Sequence, residues 1–156
     1  MSDETLIMTL STGPVTIRLR PDLAPGHVAR IKELATEGFY DGVVFHRVIG
    51  GFMAQGGDPT GTGSGGSPLP NVPAEFTTDA KFLTGTVGMA RTGDPNSANS
   101  QFFICLAPTP WLDGQYTIVG QVVSGMEFVN DIKKGVGQSG SVTDPDRIIH
   151  MTVAAQ

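Results

Sequence analysis

Apolar and polar residues alternate near the start of the chain, with Val15, Ile17 and Leu19 as the apolar positions. Alternate residues of a strand point to the same face, so this pattern predicts a strand with one buried face. Residues 5–10 and 14–19 flank the turn signal Ser-Thr-Gly-Pro. The two segments are therefore predicted to pair as a β-hairpin.

From about Pro25 onwards the apolar residues recur with the period of a helix, and proline suits the first turn of a helix. The positions that share one helical face are apolar: Val28, Ile31, Leu34 and Ala35. Gly38 is placed to end this helix, because glycine readily adopts the left-handed conformation found there.

A second helix is predicted to begin at Ser124. Ser124 and Glu127 match the S-x-x-E capping box, in which each side chain satisfies a free amide of the first turn. Three apolar positions share a face: Met126, Val129 and Ile132. Lys133 and Lys134 suit the negative end of a helix, and Gly135 is a natural stop.

Six further segments have the composition of strands: 43–49, 51–56, 85–91, 100–106, 116–123 and 147–155. Residues 60–75 contain too much glycine and proline for regular structure. With the hairpin, the pattern predicts about eight short strands and two helices. Such a set favours a closed barrel or a sandwich with a helix over each open end.

Composition narrows the class of protein. The 156 residues suit a single domain over 1–156, and 39% are hydrophobic, which is enough for a core. The 21 glycines and 11 prolines favour a turn-rich, mainly β fold. A net charge of -5 argues against nucleic acid or an anionic membrane as partner.

The location is predicted from what the chain lacks. The apolar runs are too short for a transmembrane helix, and the first ten residues do not resemble a signal peptide. Cys105 is the single cysteine, so an internal disulfide is excluded. These features fit a reducing compartment, and we expect a cytoplasmic protein.

Residues 61–66 match the nucleotide-binding pattern G-x-G-x-x-G. That function needs a helix directly after the glycines, whose N-terminus receives the pyrophosphate. Pro68, Pro70 and Pro73 follow instead and oppose a helix. We therefore interpret the segment as a loop whose backbone can approach another group closely.

Metal and nucleophile chemistry are also not indicated. His27, His46 and His150 have no metal-ligand partner at i+3 or i+4, so no metal site is expected. Cys105 lies in an apolar run, where burial makes a thiol inert, and is interpreted as a core residue. No G-x-S-x-G motif occurs. We expect no cofactor.

What remains is an apolar cluster with a few polar groups. Its apolar members are Phe52, Met53, Phe102, Phe103, Trp111 and Leu112, and Phe102 and Ile104 are predicted to face the core. Its donors are Arg47, Gln55 and Gln101. An apolar pocket with a few fixed donors is the usual design of a binding site.

Two segments resemble the signature regions of the cyclophilins, the cyclosporin-binding peptidyl-prolyl cis-trans isomerases. They are FHRVIGGFMAQGGDPTGTGSGG and GTVGMARTGDPNSANSQFFICLAPTPWLDGQYTIVGQV, and the resemblance extends in order from about residue 5 to 154. The second segment is similar to bacterial members. The resemblance implies a closed eight-stranded antiparallel barrel capped by two helices.

The resemblance also implies roles for individual residues. Arg47, Phe52 and Gln55 are implied as catalytic. Substrate contact is implied for Met53, Gly61, Ala90, Arg91, Thr92, Gln101, Phe103, Trp111, Leu112 and Tyr116. Trp111 is also associated with cyclosporin contact. No metal or cofactor is implied.

Two positions depart from the eukaryotic pattern of the family. Arg91 stands where asparagine is common, and its long charged side chain bears on the preference for neighbouring residues. Tyr116 stands where a histidine usually closes the pocket, and a tyrosine ring can still cover a proline.

The implied partners are proline-containing peptides and unfolded or folding proteins, with cyclosporin as an inhibitor. A monomer is expected. The alternative function is a non-catalytic proline-binding module, which would have no need of Arg47.

Overall fold

The fold is that of a computed structural model, which describes residues 4–60, 66–67, 69–77, 80–91, 94, 96–135, 140–142 and 145–155. The described strands are β1 (Glu4–Leu10), β2 (Gly13–Leu19), β3 (Arg47–Ile49), β4 (Met53–Gly56), β5 (Thr86–Met89), β6 (Phe102–Cys105), β7 (Ile118–Ser124) and β8 (Ile148–Ala155). The helices are α1 (Pro25–Thr36), α2 (Met126–Asn130) and a short 3-10 helix (Pro110–Leu112). Each predicted strand segment holds one observed strand.

The eight strands form one antiparallel sheet in the order β3-β4-β6-β5-β7-β2-β1-β8. The sheet curls into a half-barrel with β3 and β8 at its two edges. The predicted closure of the barrel is wrong, because no strand pairing joins β3 to β8 among the described residues.

The outer edge of β3 is already occupied, which explains why the sheet stays open. The Val48 N–H donates to the Gly140 carbonyl at 2.8 Å, and the Val48 carbonyl accepts from the Gly135 N–H at 2.8 Å. The start of β8 meets the residues before β3 instead: the Ile148 N–H donates to the Val43 carbonyl at 2.8 Å, and an isolated bridge joins Val44 to Arg147. A backbone N–H used for one partner is not available to another, so β8 does not pair along β3.

The hairpin predicted at the start of the chain is confirmed. β1 and β2 pair in antiparallel register, with Leu10 opposite Gly13 at the turn. Val15, Ile17 and Leu19 are each no more than 2% exposed. Full burial of such a side chain contributes roughly 1.5–3 kcal/mol, so the alternation in the sequence also determines which face of β2 joins the core.

Helix α1 packs against β8 and lies where the period predicts it. Its buried residues are His27, Val28, Ile31, Leu34 and Ala35. With 12 residues it is the longer α-helix, and no helix in the described part of the chain has the length and hydropathy needed to cross a bilayer.

The start of α1 is capped by a residue from a distant segment. Ala24, which precedes the helix, offers no side chain to the free amides. The Glu75 carboxylate accepts the Gly26 N–H at 3.1 Å and the His27 N–H at 2.8 Å, and it lies 2.6 Å from Nδ1 of the His27 ring. Burial alone would raise the pKa of Glu75, but these hydrogen bonds hold it below its ordinary value.

Helix α2 begins later and is shorter than predicted. Ser124 is the last residue of β7 and pairs with β2, so its backbone is extended and it forms no capping box with Glu127. Gly125 precedes the helix instead, at φ 87°, where a Cβ would lie 2.3 Å from the Pro14 carbonyl oxygen. The lysines predicted for the last turn lie beyond Asn130, where the helix ends.

Candidate functional site

A hydrogen-bonded row of three polar side chains crosses one end of the sheet. Arg47 begins β3 and lies directly opposite Gln55 of β4. The Arg47 Nη1 donates to the Gln55 Oε1 at 3.3 Å, and the Gln55 Nε2 donates to the Gln101 Oε1 at 2.9 Å. All three residues are half-buried. Their hydrogen bonds place the Arg47 guanidinium in a row with two amides.

A pocket opens beside this row and encloses about 440 Å³, part of it open to solvent. It is lined by Arg47, Phe52, Met53, Gln55, Ala90, Arg91, Phe103, Leu112 and Tyr116. Sequence reasoning singles out every one of these residues. The lining combines apolar side chains with a few fixed donors, which suits a compact apolar ligand that carries hydrogen-bonding groups at its edge.

The Phe103 ring forms the floor of the pocket and is 5% exposed. It stacks on the ring of Phe82, with the centroids 5.7 Å apart and the planes 19° from parallel. Sequence reasoning missed Phe82, which is 1% exposed and supports the floor from below. The sequence feature that could have indicated a ring at this place is Gly88 inside β5, because a glycine in a strand often marks the close approach of another group.

Strand β6 separates the main core from the pocket. Phe102 and Ile104 pack in the main core, as predicted. Phe103 and Cys105 face the other way and belong to a second apolar cluster beside the pocket. Because both faces are buried, the strand is a continuous apolar run.

Cys105 is a core residue, as predicted. Its side chain is fully buried, and its Sγ lies 3.5 Å from the Oγ1 of Thr109. Burial raises the pKa of the thiol. A neutral, enclosed thiol is a poor nucleophile.

Arg91 and Tyr116 brace one another at the rim of the pocket. The Nε and Nη2 of Arg91 donate to the Gln115 carbonyl at 3.1 and 3.0 Å. The guanidinium carbon lies 4.6 Å from the centroid of the Tyr116 ring and 5.7 Å from that of Phe76. Tyr116 in turn meets Phe103 edge-on, with centroids 5.7 Å apart. The charge of Arg91 is therefore held in place at the rim.

The remaining candidate residues lie around this pocket or outside the described part. Trp111 is 62% exposed, and its ring lies 5.7 Å from that of Phe52 at the pocket edge. Gln101 accepts a hydrogen bond from Gln55 and is not among the residues that line the pocket. Gly61 and Thr92 fall outside the described residues, as does the glycine-rich loop up to residue 65.

Residues 5–153 match the family model described as cyclophilin type peptidyl-prolyl cis-trans isomerase/CLD. The chain is similar to a probable peptidyl-prolyl cis-trans isomerase of Brucella suis, with 53% identity over 165 residues that cover 98% of this chain and 84% of that protein. It is also similar to a peptidyl-prolyl cis-trans isomerase of Schizosaccharomyces pombe, with 50% identity over 119 residues that cover 74% and 76% of the two chains.

Solved structures show the same architecture. A cyclophilin type peptidyl-prolyl cis-trans isomerase of Cryptosporidium parvum superposes with a TM-score of 0.90 at 28% identity, covering 99% of both chains. The same Cryptosporidium protein in the presence of the dipeptide Ala-Pro gives a TM-score of 0.89, covering 97% of this chain and 99% of that one.

Proposed function

Because the chain belongs to the cyclophilin-type peptidyl-prolyl cis-trans isomerases and is an enzyme of that class, we propose that its pocket binds the proline and that Arg47 promotes rotation. The observation that carries the proposal is the position of Arg47. It lines an apolar pocket and is hydrogen-bonded to Gln55, which lines the same pocket.

The chemistry of the imide bond explains the need for a cation. An Xaa-Pro bond resists rotation because the nitrogen donates its lone pair into the carbonyl, with a barrier near ~20 kcal/mol. Twisting breaks this conjugation, and the nitrogen becomes pyramidal and basic. A guanidinium placed at that nitrogen binds the twisted state better than either planar state. Such differential binding lowers the barrier.

The apolar residues supply the grip that rotation requires. Phe52, Met53, Phe103 and Leu112 surround the proline ring in the proposed complex, and Gln55 holds the peptide backbone on the preceding side. The Cryptosporidium relative, whose structure was determined in the presence of Ala-Pro, supports a proline dipeptide as the minimal ligand of such a pocket. The proposed mechanism uses no covalent intermediate, metal or cofactor.

The proposed substrates are proline-containing segments of peptides and of unfolded or folding proteins. We also propose cyclosporin as an inhibitor, because Trp111 offers an exposed ring next to Phe52. The monomeric state and the cytoplasmic location stay predictions.

Exchange between the cis and trans forms of an Ala-Pro peptide, measured by NMR with and without protein, tests the proposed function. An isomerase accelerates exchange at substoichiometric protein concentration. A non-catalytic proline-binding module shifts the peptide resonances and leaves the exchange rate unchanged, and that result would overturn the proposal. A peptide with alanine in place of proline controls for interactions that do not depend on the proline ring.

A further inference from the structure

The hydrogen bond between Arg47 and Gln55 depends on which way the Gln55 amide is turned. Its Oε1 accepts from the Arg47 Nη1, and its Nε2 donates to the Gln101 Oε1. An amide turned by half a rotation would present its NH2 group to the guanidinium, and both of these groups are donors only. The Gln101 Oε1 therefore holds Gln55 in the orientation that its hydrogen bond to Arg47 requires.

The backbone of Gln101 is fixed by contacts with two other segments. The preceding residue, Ser100, is fully buried, and its Oγ donates to the Gly57 carbonyl at 2.7 Å. Gly57 lies two positions after Gln55, and a Cβ on it would lie 2.9 Å from the Gln101 Cα, so the two backbones are in direct contact. The Gln101 carbonyl accepts the Ala90 N–H at 3.0 Å. These contacts fix the point from which the Gln101 side chain starts.

Tyr40 holds the same peptide group from the main core. It lies 60 residues before Ser100, in the turn that follows α1, and it is fully buried. Its hydroxyl donates to the Ser100 carbonyl at 2.8 Å, and its ring meets Phe102 edge-on with the centroids 5.6 Å apart. Burial raises the pKa of Tyr40, so the hydroxyl remains a donor at any ordinary pH. A phenyl ring would fill nearly the same volume, so what the hydroxyl adds is this hydrogen bond.

We propose that Tyr40 and Ser100 are positioning residues for the isomerase reaction: they fix the peptide group before Gln101, and through Gln101 and Gln55 they orient the Arg47 guanidinium. The inference rests on the proposed function, because it assumes that Arg47 acts on the imide bond. Neither Tyr40 nor Ser100 is among the residues that line the pocket. A donor that is already in place needs no rearrangement when the reaction occurs, which is why support behind the pocket affects the rate.

The test removes the Tyr40 hydroxyl and keeps the ring. In Tyr40→Phe we expect kcat to fall about three- to tenfold, less than the roughly 10²-fold that a displacement of about 1 Å can cost. Peptide affinity should stay at the parental value, because the apolar residues of the pocket are unchanged. The measurements are NMR exchange at saturating peptide and a binding titration, both well below the melting temperature of the variant. Ser100→Ala, which removes the bond to Gly57, should give the same split between kcat and affinity.

Thr12→Val is the matched control. The Thr12 hydroxyl also donates to a backbone carbonyl at 2.8 Å, that of Phe128, but it lies in the turn between β1 and β2, which contributes no residue to the pocket. This variant should lose stability and keep the parental kcat. If Thr12→Val lowers kcat as much as Tyr40→Phe does, the effect comes from the loss of stability and the inference is wrong.

A double variant tests the route through Gln101. Gln101→Ala should itself lower kcat, and the addition of Tyr40→Phe should lower it no further, because the effects of residues that act as a unit do not add. If the two reductions multiply in the double variant, Tyr40 acts by another route and the inference is wrong.

The side-chain amide of Gln55 gives a readout that does not depend on activity. Its NH2 resonances, assigned by their loss in Gln55→Glu, should move toward those of a solvated glutamine in Tyr40→Phe and Ser100→Ala, and should stay in place in Thr12→Val. A lower kcat with unchanged Gln55 resonances would overturn the inference.

The outcomes separate this inference from the proposed function. A parent without isomerase activity overturns the proposed function and the inference with it. An active parent whose Tyr40→Phe and Ser100→Ala variants keep the parental kcat overturns the inference alone. If Tyr40→Phe does not fold, the kcat and the Gln55 resonances of Ser100→Ala decide by the same criteria.

Discussion

Gly88 of β5 lies directly opposite Phe103 of β6, and its missing side chain makes room for the aromatic floor of the pocket. A Cβ on Gly88 would lie 2.7 Å from the Phe103 ring and 2.7 Å from the Phe82 ring. Both rings are nearly fully buried. An added methyl group must therefore displace one of them.

Gly88→Ala is expected to lower both stability and peptide affinity. Overpacking of a filled core costs about 1–3 kcal/mol, and a displaced Phe103 no longer fits the proline ring. Urea unfolding and a peptide titration measure the two effects. Gly50→Ala is the control, because its Cβ would meet only the flexible end of Lys134 at 3.9 Å. Parent-like values for both quantities in Gly88→Ala would contradict this account of the floor.

Arg47→Ala is expected to lose turnover while keeping most of its peptide affinity. Removal of one donor aimed at a transition state lowers rates by about 10²–10³ in well-studied acyl-transfer enzymes, and we adopt that scale by analogy. The apolar pocket remains, so ground-state binding should change little, which is the pattern for an interaction made mainly in the transition state. The measurement is NMR exchange at saturating peptide, beside a binding titration.

A thermal melt of Arg47→Ala serves as the folding control. Arg47→Lys should also be a poor enzyme, because an ammonium lacks the planar fork of the guanidinium and ends at a different place. If folded Arg47→Ala isomerises at the parental rate, catalysis comes from pocket shape and desolvation alone.

Cys105→Ser is expected to keep isomerase activity and to lose stability. The thiol lies in an apolar cluster, with its Sγ 3.5 Å from the Thr109 Oγ1, and a buried hydroxyl with poor hydrogen bonding costs roughly 1–3 kcal/mol. Chemical denaturation and the exchange assay measure the two properties. Cys105→Ala, which adds no polar group, is the comparison. A serine variant as stable as the parent but without turnover would show that the thiol has a chemical role.

Cyclosporin is expected to bind and to change the fluorescence of Trp111, which is the single tryptophan of the chain. Its ring is 62% exposed and lies against Phe52 at the pocket edge, so a bound apolar ligand would remove it from water. The titration is followed by tryptophan emission and, in parallel, by inhibition of exchange. An absence of any saturable change up to high micromolar drug would rule out this prediction.

Glu75→Gln is expected to destabilise the protein in a pH-dependent way. The pKa of Glu75 in the folded state lies below its ordinary value of 4.5, so its charge stabilises the fold above that pH, and the contribution is lost as the pH falls through the folded value. At pH 7 the variant should lose about 1 kcal/mol, the usual size of a helix cap. At pH values below the folded pKa the two proteins should converge, because the parental carboxyl is then protonated.

Urea unfolding at pH 7 and at successively lower pH values measures the difference for Glu75→Gln. Glu33→Gln provides the control. Glu33 is an exposed residue of the same helix, and its substitution removes the same charge as Glu75→Gln does. If the difference in the free energy of unfolding between Glu75→Gln and the parent stays constant with pH, the charge of Glu75 does not contribute to the stability of the helix.

Local pattern was sufficient for much of this molecule. The alternation around Val15 and the helical period after Pro25 predicted β2 and α1, because the periods of strand and helix differ and a buried face must be apolar. The apolar residues near Arg47 and Gln55 predicted a pocket for the same reason: fixed polar groups within an apolar surface are costly unless they have partners or a function.

Contacts between distant segments decided the rest. The occupation of the β3 edge by residues 135 and 140 left the barrel open, and the pairing of Ser124 with β2 removed a capping box that the local sequence favoured. Neither Glu75, 48 residues from the helix amide of His27, nor Phe82 beneath Phe103 belongs to a local pattern. A backbone group accepts whichever partner the fold brings near, so hydrogen bonds and ring contacts between segments far apart in the chain depend on the tertiary arrangement and leave no periodic signal in the sequence.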